Sequence, residues 1–145
     1  MKLKIGQKAP DFELPDQNGK IHKLSDYLGR WLLIYFYPKD DTPGCTKEAC
    51  AMRDSFPAFK KMKAKILGVS VDSAKSHKKF TEKYGLPFTI LADEKKEVVQ
   101  KYGVWGRKKF MGREYDGTFR TSFLIDPKGK ISKIYEKVKP EIHAK

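Results

Sequence analysis

An α/β fold with a mixed central sheet and helices on both faces is what this sequence predicts, and three observations predict it. Strand-like and helix-like segments alternate between residues 31 and 102. The strand-like segments are short and rich in apolar, aromatic and β-branched residues, the composition of strands buried within a sheet. Two further strand-like runs flank Pro127-Lys-Gly-Lys130, whose residues suit a hairpin turn. Strands joined by helices imply mostly parallel pairing, and the hairpin adds an antiparallel edge.

Taken in order, Trp31 to Tyr37 is the strongest strand signal, with Leu-Leu-Ile-Tyr-Phe-Tyr inside it. Pro38 stops its ladder because proline has no N–H to donate. Thr42-Pro43 then opens a helix. Thr suits the N-cap, Pro suits the first helical position where an N–H would be unpaired anyway, and Gly44 permits close backbone approach. This helix is expected to run on through Ala51, Phe56 and Phe59. Lys65 to Asp72 reads as a second buried strand, and Ser73 to Tyr84 as an amphipathic helix ended by Gly85 and Pro87. Pro87 to Ala92 gives a third strand, Glu94 to Tyr102 a third helix, and Thr121 to Asp126 with Ile131 to Lys137 the closing hairpin. No repeat or linker interrupts the chain, so residues 1–145 read as one domain, long enough for a real core.

Composition excludes more than it identifies. The net charge of +13 invites a nucleic-acid reading, but 18 acidic residues are interspersed with the 31 basic ones, as in Asp93-Glu-Lys-Lys-Glu97, and only five of the basic residues are Arg. Lys scattered in this way makes a solvated face rather than a specific nucleic-acid surface. No apolar run is long enough to span a bilayer, and no N-terminal segment resembles a secretion signal, so a cytoplasmic location is the default expectation.

The chemistry of the chain is concentrated at its two cysteines, Cys45 and Cys50. Cys45 falls in the first turn of the helix opened by Thr42-Pro43. Unpaired N–H groups and the positive end of the helix dipole favour an anion there, which pushes a thiol towards the nucleophilic thiolate. A buried, inert cysteine is the alternative reading of the same residue. Along a continuous helix, five residues mean a rise of about 7.5 Å and a rotation of about 140° beyond a full turn, so the two sulfurs point apart. Bridged Cα atoms lie within about 7 Å, so any Cys45–Cys50 bond requires local unwinding. Such a bond would be transient, as cytosolic redox disulfides are. A zinc site lacks ligands, because His22, His77 and His143 are scattered and no second cysteine pair exists. The two-residue spacer of a thioredoxin-type dithiol is also missing.

Pro38, Thr42 and Cys45 stand as Pro-x3-Thr-x2-Cys, with Cys50 following, and this arrangement resembles the active-site signature of the peroxiredoxins. The Cys-x4-Cys spacing is similar to that of the Q-type subgroup, the bacterioferritin-comigratory proteins. The similarity extends from Gly6-Gln-Lys-Ala-Pro-Asp-Phe12 through Phe110-Met-Gly-Arg-Glu-Tyr115 to Arg120-Thr-Ser-Phe-Leu-Ile-Asp126. The resemblance implies a thioredoxin-like fold and a thiol peroxidase without metal or organic cofactor. By that resemblance Cys45 attacks hydrogen peroxide or an organic hydroperoxide, Cys50 resolves the sulfenic acid as a disulfide, and thioredoxin or a similar dithiol protein reduces it. The resemblance also makes Thr42 the residue that orients the peroxide, Pro38 the shield of the sulfur, and Arg120 the cation. A plain N-cap, a strand terminator and a surface arginine are the ordinary readings of those three. Glu48, one turn beyond Cys45, is open between a hydrogen-bonding neighbour and a solvent-facing carboxylate. Trp31, Trp105, Phe110 and Tyr115 are expected in the core or in a pocket wall. The sequence stops at Ala144-Lys145, where that family continues into a longer helix. The domain is therefore expected to be short of a C-terminal helix, by nature or by trimming, with a monomer or weak dimer as its state. A dithiol oxidoreductase acting on protein disulfides and a basic binding module are the two rival classes.

Overall fold

The computed structural model describes residues 3–61, 63–110 and 112–136, with Lys109 and Phe110 described by their backbone alone. The chain enters through a small antiparallel hairpin, β1 (Glu13–Pro15) and β2 (Ile21–Lys23), followed by a 3-10 turn at Leu24–Tyr27. Next come β3 (Leu32–Phe36), α1 (Pro43–Lys61), β4 (Lys65–Ser70), α2 (Ala74–Tyr84) and β5 (Thr89–Ala92). A short α3 (Glu97–Lys101) leads to β6 (Trp105–Phe110), β7 (Arg113–Thr118), β8 (Thr121–Ile125) and β9 (Ile131–Glu136). The main sheet has the order β5-β4-β3-β8-β9. β3, β4 and β5 run parallel, β8 runs antiparallel to β3, and β9 antiparallel to β8.

β3 is buried along its whole length, which explains its unbroken apolar run. Leu33, Tyr35 and Tyr37 pack with Ala49 and Met52 of α1 and Phe80 of α2. Leu32, Ile34 and Phe36 point to the other face, onto Val98 and Val99 of α3 and onto Phe12 and Leu14 near the N-terminus. Burial of each such large side chain stabilises by about 1.5–3 kcal/mol. A one-residue slip would exchange the two faces, so burial on both sides pins the register of the central strand. Both crossover helices, α1 and α2, therefore share one face while α3 covers the other.

Several expected boundaries move. α2 begins after its N-cap Ser73, whose hydroxyl accepts from the Ser76 N–H, and it ends at Gly85 in the left-handed conformation (φ 59°). The third helix starts at Glu97 rather than Glu94, because the Asp93 carboxylate accepts the Val99 N–H and curls residues 93–96 into a turn. The β6–β7 hairpin and the β1–β2 hairpin were not among the expected elements. Trp31 and Tyr115, expected in the core or a pocket wall, are exposed. Trp31 precedes the buried span of β3, and Tyr115 lies in the run 113–116 of the two-stranded β6–β7 ribbon, which is exposed on both faces. Trp105 is half-buried against the core. The Phe110 side chain, the end of the last strand at Lys137 and the expectation about the C-terminal helix lie outside the described residues.

Candidate active site

The end of β3 is where the site is built. Phe36 pairs with Thr121 across the β3–β8 ladder, so Arg120, one residue earlier, arrives where the chain leaves β3 for α1. Pro38 is half-buried at the start of that connection, and Thr42 closes it. The Thr42 carbonyl accepts from the Thr46 N–H at 2.7 Å, the first helical bond, which makes Thr42 the capping residue. Its hydroxyl donates to the Lys39 carbonyl at 2.9 Å, so towards the site it has only lone pairs to offer.

Cys45 is the third residue of α1 and only 2% exposed. Arg120, distant by 75 positions in the chain, donates from Nη2 to Cys45 Sγ at 3.4 Å. Its Nη1 donates to Glu48 Oε1 at 2.9 Å. One planar guanidinium thus spans a sulfur and a carboxylate one helical turn apart. Glu48 is fully buried, which settles the open reading in favour of the internal partner. Burial pushes its carboxyl up to about 7, with the Arg120 charge pulling the other way. Tyr35 lies beneath, across Gly68 of β4, where a Cβ would stand 2.9 Å from the phenol oxygen. Burial, then the nearby charges of Glu48 and Cys45, pushes the Tyr35 phenol well above its ordinary value, so it stays protonated.

Lys108 of β6 reaches the same neighbourhood. Its amine donates to the Thr118 carbonyl at 2.9 Å, and burial followed by the Arg120 charge lowers its pKa, while Cys45 opposes that shift. Cys50 is half-buried further along α1, and both cysteines are free thiols. The fold therefore brings Cys45 and Glu48 each into direct contact with Arg120 and sets Thr42 at the same helix end. The unbroken helix leaves Cys50 about 7.5 Å further along its axis. A cavity of about 600 Å³ lies away from the sulfur, on the α3 side of the sheet, lined by Tyr102, Val104, Trp105, Phe119 and Phe123 among others. Among the described residues, one group brings three potential metal ligands together, Asp40, Asp72 and His77. Sequence reasoning did not single out Tyr35, Lys108 or Asp40. Glu48 carried a local signal in its one-turn spacing from Cys45, whereas Lys108 carried none.

Against known proteins, the AhpC/TSA family model matches residues 5–134. Peroxiredoxin Bcp of Bacillus subtilis is 50% identical over 143 residues, covering 99% of this chain and 91% of the relative. Peroxiredoxin Bcp of Escherichia coli K12 is 48% identical over 141 residues, covering 97% and 90%. Among solved structures, the bacterioferritin comigratory protein of Xanthomonas campestris, described for its alkyl peroxide reduction activity, superposes with a TM-score of 0.89. The identity there is 37%, with 97% of this chain and 92% of that one covered. Peroxidoxin BcpB of Mycobacterium tuberculosis gives a TM-score of 0.87 at 34% identity, covering 98% and 92%.

Proposed function

Because this chain belongs to the AhpC/TSA family, as a thioredoxin-like peroxiredoxin of the Bcp type and a thiol peroxidase, we propose that Cys45 is its peroxidatic sulfur and Cys50 its resolving one. The observation that carries this reading is the Arg120 guanidinium, which joins Cys45 Sγ to the buried Glu48 across 75 positions of sequence. A cation already in place stabilises negative charge on the sulfur and on the departing oxygen without reorganising during the reaction. The substrates are hydrogen peroxide and organic hydroperoxides, with alkyl peroxides favoured by the likeness to the Xanthomonas protein.

The first step is attack by the Cys45 thiolate on one peroxide oxygen. The O–O bond breaks, the sulfur becomes a sulfenic acid, and the departing alkoxide or hydroxide takes a proton to leave as alcohol or water. Thr42 accepts a hydrogen bond from the peroxide O–H, since its own proton is engaged at Lys39. Pro38 limits water at the sulfur. Cys50 then attacks the sulfenic sulfur, the S–S bond forms, and water leaves. Because α1 is continuous from Pro43 to Lys61, residues 45–50 must unwind for that bond to close. A dithiol protein of the thioredoxin kind returns the pair to thiols. The reaction needs no metal or organic cofactor in this scheme, and the whole chain, 1–145, acts as one domain, a monomer or weak dimer in the cytoplasm.

Mass spectrometry after one equivalent of hydrogen peroxide tests the scheme. A Cys45–Cys50 linkage is expected in the digest, and an intermolecular linkage alone would overturn the assignment of Cys50. Amide exchange around 45–50 should accelerate in the disulfide form; unchanged exchange would mean that the helix does not open.

A further inference from the structure

The connection between β3 and α1 is gripped from outside the site described so far. Asp40, between Pro38 and Thr42, is buried. Its Oδ1 accepts from the Tyr37 hydroxyl at 2.5 Å, and its Oδ2 accepts from the Ser76 hydroxyl at 2.8 Å. The same Oδ2 lies 2.6 Å from Nδ1 of His77, a fully buried residue of α2. His77 Nε2 lies 2.9 Å from the Leu91 carbonyl of β5. A carbonyl only accepts, so Nε2 carries a hydrogen. A proton must also lie between Nδ1 and the carboxylate, since two lone pairs do not meet at that separation. Each Asp40 oxygen already accepts from a hydroxyl, Tyr37 at Oδ1 and Ser76 at Oδ2, the acceptor-only pattern of a carboxylate, so the geometry assigns that proton to the ring.

Asp41 holds the other end of the same helix. Its carboxylate accepts from Lys83 Nζ at 2.8 Å and from the Tyr84 hydroxyl at 2.7 Å, with its backbone at φ 55°. The Asp40 N–H donates to Asp72 Oδ2, which also accepts from the Ser70 hydroxyl. Asp40, Asp72 and His77 bring ligand atoms within 4.8 Å of one another, but those atoms are engaged by donors of the chain itself, so the cluster closes on itself rather than on an ion. These ties end at Asp41. Beyond Pro43, the first turns of α1 carry the residues that must unwind.

We propose that the buried His77 imidazolium and Asp40 carboxylate form a positioning pair that fixes the connection 38–42 and serves as the stationary end of α1 while the turn bearing Cys45 opens and recloses. This rests on the reading of Cys45 and Cys50 as the catalytic pair. His77 and Asp40 touch no reacting atom. They act by keeping Pro38 and Thr42 in place about the sulfur, and misplacement on the 1 Å scale costs up to about 10²-fold in rate.

Two measurements test the proposal. Side-chain ¹⁵N correlation spectra of the reduced protein at neutral pH should show protons on both His77 ring nitrogens. Asp40→Asn, whose amide can donate to Nδ1, should convert the ring to the singly protonated form and keep Cys45 oxidation within about threefold of wild type. A wild-type ring lacking the Nδ1 proton would overturn the charge assignment. His77→Leu alone strands a buried carboxylate and is expected to fold poorly, so the rate is read in the Asp40→Asn/His77→Leu double variant. Its melting temperature should recover relative to His77→Leu, while stopped-flow oxidation of Cys45 by hydrogen peroxide stays about tenfold slower than wild type. A folded double variant within about twofold of wild type would overturn the positioning role. Failure of wild-type Cys45 to react with peroxide would instead sink the peroxidatic assignment and leave the ring spectrum untouched.

Discussion

Two successive turns of one helix hold the two cysteines in opposite surroundings. Cys45 is closed off from solvent and faces Arg120, the buried Glu48 and the core beneath Tyr35. Cys50 is half-buried, beside Arg53, on the stretch that α1 turns towards the end of α2. In the proposed scheme the difference separates two chemical needs: the sulfur that meets the peroxide is enclosed beside a cation, whereas the sulfur that reacts second is the more accessible of the two.

The largest expected effect breaks the comparison outright. Cys45→Ser should abolish peroxide turnover, whereas Cys50→Ser should keep the first chemical step and accumulate sulfenic or sulfinic acid at Cys45, read by mass spectrometry. Equal loss of the first step in both variants would erase the distinction. Next is Arg120→Lys. A lysine keeps the charge but not the planar fork that spans Cys45 and Glu48, so stopped-flow oxidation of Cys45 should slow on the order of 10²-fold. A rate within about twofold of wild type at every pH would remove Arg120 from the site.

Glu48→Gln sharpens the comparison through pH. The folded carboxyl sits near 7, above its ordinary 4.5, so between those values the native state keeps a proton that the unfolded state releases. Wild-type stability should therefore fall as pH rises through that window, by on the order of 3 kcal/mol. Denaturant unfolding at several pH values should show a shallower slope in Glu48→Gln, and an unchanged slope would show that the carboxyl titrates as in the unfolded chain. The smallest effect belongs to the other turn. Arg53 Nη1 donates to the Tyr84 carbonyl at 2.7 Å and ties α1 to the end of α2. Arg53→Ala should cost about 1 kcal/mol or less and quicken amide exchange around Cys50, with Cys45 oxidation unaffected. Slowed peroxide reaction in that variant would mean that the two turns are not independent.

Legibility in the sequence followed the range of the forces involved. β3, α1, β4 and α2 rest on local signals, namely apolar runs, the Thr42-Pro43 opening, the Ser73 cap and the Gly85 stop, and each was readable. The β6–β7 ribbon was not, because Arg107-Lys-Lys109 and Arg113-Glu-Tyr-Asp116 lack a buried alternating face; it is a ladder formed outside the main sheet. α3 lost its first turn to the side chain of Asp93, a competition that periodicity does not register. In the site, Cys45 and Thr42 followed from position on the helix. Arg120 came only through resemblance, since it is the β3–β8 register that delivers it to the sulfur. Glu48 had the right spacing, but its burial is decided by what packs over it. Asp40 and His77, 37 positions apart, meet only once β4, α2 and β5 are assembled.

Gly68 carries a consequence for how mutations in this protein would be interpreted. It contributes no side chain, yet an added Cβ would meet the Tyr35 ring at 2.9 Å, and that ring forms the floor under Glu48 and Cys45. A genetic screen for loss of peroxide resistance would therefore recover Gly68→Ala alongside changes at the thiol itself. The map of sensitive positions would extend sideways within the sheet, to the strand beside the one that carries Tyr35, and a residue that does no chemistry would be scored as though it did.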